Sequence, residues 1–310
     1  MLKKTLVTGK DGQLGQSLLV LKEAYPLLDM TFVGRNELDL SSATSIKDYF
    51  KEKAFDVIIN CAAYTAVDKA ESEPELADQI NHIAVKQLAE IAKQQDSVLI
   101  HISTDYVFNG QNYKPYIETD ETDPQNVYGS TKLKGEQAIQ AINPKGCIIR
   151  TSWVYSEYGN NFVKTMLRLG KEKEQLGIIF DQVGTPTYTG DLAETILQIV
   201  NSKQLVVSRE YNNADANLLT THHALLTKNE VFHFSNEGVC SWYDFAKTIF
   251  ELNGVECQVN PIETKDYPVP ATRPHYSLMN KAKIKQVYNL EMPYWKDSLK
   301  VCLQKLQEQA

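Results

Sequence analysis

Short apolar runs alternate along the chain with longer stretches in which apolar residues recur every three or four positions. Lys4 to Thr8, Met30 to Val33, Val57-Ile58-Ile59-Asn60, Val98-Leu99-Ile100-His101-Ile102 and Cys147-Ile148-Ile149-Arg150-Thr151 read as strands. Runs this short, rich in β-branched residues, suit a parallel sheet covered on both faces. Between them, Leu14, Leu18, Leu19 and Leu21 mark a helix, and Ser41 or Ser42 caps another to about Lys53. A long helix is predicted from Glu75 to about Gln94, with Ile80, Ile83, Ala84, Leu88, Ile91 and Ala92 inward. Its polar Asn81 could mark a kink, a bridged water or a surface position. Asp123-Pro124 precedes a further helix that opens near Asn126 and runs through Ile142. The alternation predicts an α/β fold, a doubly wound parallel sheet of Rossmann-like type over residues 1–155.

The pattern is less regular after Tyr155, and predicts a smaller C-terminal α/β substrate-binding domain, mainly 156–310. Part of 181–230 is open to returning to the first domain. Helices are expected from Phe162 to about Lys173, Gly190 to Val200, Ser241 to about Asn253 and Trp295 to Gln309. Ser241-Trp242-Tyr243-Asp244 is a capping box. Ile178-Ile179-Phe180 and Val231-Phe232-His233-Phe234 read as strands, and Asp181 to Thr187 as a loop broken by Gly and Pro. Val206 to Lys228 has no clear period. His222 and His223 lie in it, and adjacent side chains point apart, which makes them a poor metal pair.

Bulk properties narrow the partners. The 310 residues carry a net charge of −7, against the basic surface of a general nucleic-acid binder. No run approaches the ~20 apolar residues of a membrane span. Five cysteines, an odd number without a Cys-x-x-Cys pair, fit reduced thiols in cytoplasm rather than a disulfide framework or zinc site. No metal is expected.

The chemistry gathers at strand ends. Gly9, Gly12 and Gly15 space the first β-to-α turn, around Gln13 and Leu14. Glycines let a backbone approach a pyrophosphate, and the helix N-terminus turns its free N–H groups to the anion. The spacing is Gly-x-x-Gly-x-x-Gly rather than the common dinucleotide fingerprint. Arg35 ends the second strand, where an acidic residue often binds a ribose; a guanidinium suits a 2′-phosphate, hence NADPH over NADH. Glu37 or Asp39 could still serve the ribose or adenine. The small residues Cys61-Ala62-Ala63-Tyr64-Thr65 would admit a flat cofactor or simply pack tightly. Ser103 or Thr104 could hold a substrate oxygen. Tyr128 and Lys132, four apart on one helical face, pair a phenol with an ammonium that is expected to lower its pKa. Such a phenol can protonate a carbonyl oxygen as hydride reaches its carbon. Arg273, in the proline-flanked loop Pro268 to Pro274, suits a diphosphate or an exposed salt bridge.

In order and interval, these pieces resemble the extended short-chain dehydrogenase/reductases. Within that family the likeness is to reductases of dTDP-linked 4-keto sugars. It rests on Gly12-Gln13-Leu14-Gly15, Thr65 to Glu71, Ser103-Thr104-Asp105-Tyr106-Val107-Phe108, Asn126-Val127-Tyr128-Gly129, Arg150 to Tyr155, Gly159-Asn160-Asn161-Phe162 and Ala271-Thr272-Arg273-Pro274. The resemblance implies NADPH, with NADH as the alternative, and a dTDP-sugar substrate. It implies Tyr128 as proton donor, Lys132 on the nicotinamide ribose and Thr104 beside the reacting oxygen. Cofactor contacts fall to Gly9, Gly12, Gln13, Leu14, Gly15, Arg35, Asp39, Leu40, Ala62, Ala63, Thr65 and Ser103. Sugar-nucleotide contacts fall to Thr104, Asp105, Tyr106, Trp153, Asn160 and Arg273, framed by Thr185-Pro186-Thr187. Related dehydratases carry Asp-Glu where this chain has Asp105-Tyr106, which favours reduction. Some relatives dimerise around magnesium held by glutamates, but this chain has Ser17 in the first helix, so a monomer or a metal-free homodimer is expected. The alternative reading is a non-catalytic, NADP-binding regulatory subunit of the same fold, or a reductase of another 4-keto sugar nucleotide.

Overall fold

The computed structural model describes residues 2–201 and 228–309. Six parallel strands make the central sheet: β1 (Lys3–Thr8), β2 (Leu28–Val33), β3 (Val57–Asn60), β4 (Val98–Thr104), β5 (Gly146–Thr151) and β6 (Asn229–Phe234). Their spatial order is 2-1-3-4-5-6. It reverses between β1 and β3, and at such a switch point the strand ends splay to leave a crevice. Register sets Thr8 beside Asn60 and Thr104 beside Thr151, so the strand ends that bear the candidate chemistry finish together.

Each strand divides its side chains between two cores, as period two requires. Leu6, Ile58, Leu99 and Ile148 pack with Leu88 and Ile139 on one face. Val7, Ile59, Ile100 and Ile149 pack with Leu18 and Ile196 on the other. All eight strand residues are fully buried, which explains their unbroken apolar runs.

The chain returns to this sheet late. The strand read at Val231–Phe234 starts at Asn229 and pairs in parallel with β5, placing Phe232 and Phe234 in the core with Val7, Ile59 and Leu18. The helix Thr189–Asn201 packs beside Gln13–Leu21, where Ser17 meets Thr189 at 2.6 Å between hydroxyl oxygens. His222, His223 and all of the aperiodic stretch except Lys228 lie outside the described residues.

A third core holds the C-terminal region together. Helices Phe162–Glu172, Trp242–Asn253 and Trp295–Glu308 enclose Tyr155, Phe245, Ile249 and Leu299. The capping box closes in both directions, Asp244 N to Ser241 Oγ at 3.1 Å and Ser241 N to Asp244 Oδ2 at 2.9 Å. The strand expected at Ile178 to Phe180 instead spans Gln175–Ile179, paired in parallel with Gln258–Ile262. All five cysteines are free, and among the described residues no helix is long and apolar enough to cross a membrane.

The long helix after Pro74 is interrupted by a π turn, Gln79–Ile83, which drives Asn81 inward. Its side-chain oxygen accepts from Tyr64 N at 2.9 Å, and its amide donates to Tyr64 O at 3.0 Å and Thr131 Oγ1 at 3.2 Å. Asn81 is fully buried, so the surface position is excluded, and the local widening of the helix has a cause. It ties the loop after β3 to the helix that carries Tyr128. Asn81→Ala would strand both backbone groups of Tyr64, and a loss of about 1–3 kcal/mol is expected in chemical denaturation.

Candidate active site

The crevice at the switch point is a cleft of about 860 Å³. Gly9, in the left-handed region at φ +72°, lets β1 turn sharply against the next strand end. A Cβ there would lie 2.8 Å from Ala62 N. The Gln13–Leu21 helix then starts at Gly12 with no side-chain cap, leaving its first N–H groups directed at the cleft. This cradle of bare backbone fits a dinucleotide pyrophosphate, and every residue assigned above to the cofactor lines it. Gln13 is used differently from Gly12 and Gly15. Its side-chain oxygen accepts from Ser156 Oγ at 2.9 Å and Asn161 Nδ2 at 3.0 Å, tying the glycine turn to the loop that bears Asn160.

Arg35 stands at the β2 end of the cleft, its side chain 74% exposed and only loosely paired with Asp39 at 3.6 Å. Asp39 is committed to Ser41, accepting from its N–H at 2.9 Å and its hydroxyl at 2.7 Å. Glu37 is engaged by Lys10 and by Gly34 N and does not line the cleft. A free guanidinium with its acidic neighbours otherwise occupied matches a 2′-phosphate.

The reacting end is built by β4 and the helix Val127–Ile142. Asn126 caps that helix, accepting from Gly129 N at 2.7 Å. Gly129 lets it press onto the strand end, because a Cβ there would sit 2.2 Å from Tyr106 O. Tyr128 thereby reaches the cleft, edge-on to Tyr106 at 5.5 Å between ring centres. The expected depression of its pKa by Lys132 is not found. Burial pushes the Tyr128 phenol up to about 12, opposed by its hydrogen bond with Thr104 and aided by Asp105. The reason is where the ammonium is bonded: Lys132 lines the cleft, but its Nζ donates to Ile102 O at 2.6 Å and lies 3.4 Å from His101 Nε2, both on β4. Burial lowers Lys132 to about 8.

Thr104 donates to Asp105 Oδ1 at 3.0 Å and accepts from Tyr106 N at 3.2 Å. Ser103 lines the cleft, but its hydroxyl is taken by Glu136 Oε1 at 2.5 Å, so the hydroxyl that faces Tyr128 is that of Thr104. Asp105 is buried, its Oδ2 without a hydrogen bond of ordinary geometry, and burial raises its carboxyl to about 7 against the opposing hydroxyls of Thr104 and Ser277. Trp153 takes the left-handed region at φ +49° and stacks flat on Trp242 at 3.6 Å. Asn160 is exposed at the rim.

One assigned residue stands apart. Arg273 does not line the cleft; its guanidinium grips Asp68 with bonds of 2.8 and 2.7 Å. The salt-bridge reading of this arginine is the one the structure displays. Thr185-Pro186-Thr187 also lies outside the lining, with Thr185 donating to Gly238 O at 2.6 Å. Conversely, Leu192 lines the cleft without having been singled out. Leu192 carried no local signal, since it arrives on the helix that returns late.

Residues 3–308 match the family described as RmlD substrate binding domain. The chain is 41% identical over 310 residues to the dTDP-4-dehydrorhamnose reductase of Aggregatibacter actinomycetemcomitans, covering 96% of this chain and 97% of that one. The crystal structure of a dTDP-4-dehydrorhamnose reductase from Clostridium acetobutylicum aligns with a TM-score of 0.85 at 40% identity, covering 98% and 99%. The structure of the Bacillus anthracis dTDP-4-dehydrorhamnose reductase in complex with NADP aligns with a TM-score of 0.85 at 35% identity, covering 98% and 100%.

The orphaned oxygen of Asp105 has a consequence for stability. A carboxyl whose folded pKa is raised loses stability for the protein as pH climbs from its unfolded value towards the folded one. Asp105→Asn removes that charge. The Tm of the variant is therefore expected to match wild type near pH 4 and exceed it near pH 8, by about 2–4 °C for each kcal/mol recovered. Thermal melts at the two pH values check this.

Proposed function

The chain belongs to the RmlD substrate binding domain family, and from that premise we propose that it reduces the C4 ketone of dTDP-4-dehydro-L-rhamnose to give dTDP-L-rhamnose. NADPH, when bound, supplies the hydride that reaches C4. The chain's own residues hold the reactants and supply the proton. The glycine turn would hold the pyrophosphate, Arg35 the 2′-phosphate, and Lys132 the nicotinamide ribose.

Tyr128 donates its phenolic proton to the ketone oxygen as the C–O bond becomes a hydroxyl. The phenol is protonated throughout the neutral range, so the proton is in place when the hydride arrives. Thr104 hydrogen-bonds at the same oxygen, and Asp105 offers its free Oδ2 to a sugar hydroxyl. Trp153 gives the sugar an apolar wall. The observation that carries this reading is the meeting of Tyr128, Thr104 and Lys132 in the cleft that also contains the glycine turn. The first 155 residues, with the returning helix and strand, serve the cofactor, and the remainder serves the sugar nucleotide. Five free cysteines fit a cytoplasmic site of action.

Tyr128→Phe is expected to lower kcat by about 10²–10⁴-fold while leaving NADPH binding in place. Loss of NADPH absorbance with the keto sugar nucleotide measures the first, and fluorescence titration the second. A wild-type protein that binds NADPH but oxidises it with no keto-sugar nucleotide would instead support the regulatory-subunit reading.

The pH profile follows from Lys132. Its charge is present below about 8 and is lost as pH rises through that value. kcat/KM for NADPH, which reports the free enzyme, is expected to fall above about pH 8, while Tyr128 is still protonated. Initial rates across the alkaline range test this.

A further inference from the structure

Behind Lys132 runs a line of buried polar side chains that the reduction as described leaves unused. His101 on β4 lies between Lys132 and Asn60, its Nε2 3.4 Å from Lys132 Nζ and its Nδ1 3.0 Å from the Asn60 amide. Asn60 on β3 in turn lies 2.7 Å from Thr8 Oγ1 on β1, which also accepts from Ala62 N at 3.3 Å. Thr8, Asn60 and His101 are each no more than 1% exposed. No water competes there, so a donor left without an acceptor in the line carries a cost.

We propose that His101 is a positioning residue for the reduction: its ring takes whichever tautomer complements Lys132, and so keeps that side chain aimed at the cleft in both of its protonation states. Two settings of the line use the same heavy-atom positions. When Lys132 is an ammonium, it donates to Nε2; Nδ1–H then donates to the Asn60 oxygen, the Asn60 amide donates to Thr8 Oγ1, and the Thr8 hydroxyl hydrogen turns away. When Lys132 is an amine, Nε2–H donates to its lone pair; the Asn60 amide donates to Nδ1, and Thr8 donates to the Asn60 oxygen. The two differ by a half-turn of one amide, a hydroxyl rotation and a tautomer, all of which interchange without moving the backbone. The imidazolium is disfavoured by burial and by the Lys132 charge, so the ring works as a neutral adaptor.

The other charged groups around Lys132 do not substitute for it. Glu136, one turn along the same helix, favours the ammonium but is held by Arg150 of β5 at 2.7 Å and by Ser103. Tyr128, one turn back, and Asp105 at the end of β4 face the cleft. Ile102 O accepts one N–H of the ammonium. With His101 accepting a second, one is left for the cofactor's ribose, which is the directional consequence.

The inference takes its purpose from the reductase reading, but its test does not depend on turnover. In wild-type protein with ¹⁵N-labelled histidine, nitrogen shifts of His101 are followed from about pH 6 to about pH 10. The Nδ1–H tautomer is expected to give way to Nε2–H without an imidazolium signal, at the pH where kcat/KM for NADPH declines. Lys132→Met should abolish the transition. A single tautomer across the range overturns the proposal, whether or not any variant folds. Kinetically, His101→Gln, whose amide can also accept or donate, should keep the alkaline decline in place. His101→Leu should move it about one pH unit lower and raise KM for NADPH several-fold. An unshifted profile in the folded leucine variant would count equally against the idea. Failure of wild type to oxidise NADPH with the keto sugar would sink the functional reading alone.

Discussion

A cation kept in the dry interior is the constraint around which the rest is arranged. Lys132 is 1% exposed, and an isolated ammonium at such depth would cost several kcal/mol or shed its proton. The fold answers with a backbone carbonyl, a histidine and a carboxylate one turn away. Those partners come from the end of β4 and the helix itself, so helix and strand must touch. Contact that close demands Gly129 under Tyr106 O. The π turn at Gln79–Ile83 then lets Asn81 grip Thr131 on the other side of the same helix. The helix that carries the amine is thus held from both sides.

The periodic parts of this arrangement could be read from the chain. Strands buried on both faces show as unbroken apolar runs, and the glycine turn follows the first of them, so five strands and the crevice were legible. The sixth was legible as a strand but not in its place. Nothing local in Val231–Phe234 says that it pairs with β5, because that depends on how the intervening chain returns. Side-chain destinations were harder still. Ser103 and Thr104 are neighbours with similar hydroxyls, yet alternation along the strand sends one to Glu136 and the other to the cleft. Four-residue spacing set Tyr128 and Lys132 on one face, but it was silent on which way a flexible amine would bend. Arg273 was drawn away by Asp68, more than two hundred residues earlier in the chain. Such partners across the fold have no signature in sequence spacing.

Specific hydrogen bonds link the parts of the cleft. Gln13 reaches from the glycine turn to Ser156 and Asn161, so the turn and the rim that bears Asn160 share a hydrogen-bonded side chain. Ser17 and Thr189 link the first helix to the one that returns. Trp153 is held in a left-handed backbone conformation that a bulky residue adopts only when its surroundings impose it. Trp242 of the C-terminal region supplies that imposition by stacking on the indole. A strained residue at the cleft wall is thus backed by a ring from the C-terminal region.

Asp105 shows the same logic in electrostatic form. A protein selected only for stability would pair both carboxylate oxygens or replace the residue, because an unpartnered buried oxygen weakens the folded state. This chain leaves Oδ2 bare beside Thr104 and Tyr128. A sugar hydroxyl donating to that oxygen would satisfy it and favour the ionised form, so part of the binding energy would be relief of a deficit already present in the empty protein. The deficit also discriminates. A ligand without a hydroxyl at that point would bury the oxygen further without satisfying it, and lose more than one hydrogen bond. Selectivity for a hydroxylated ring thus follows from what the protein leaves unmet, as much as from what it offers.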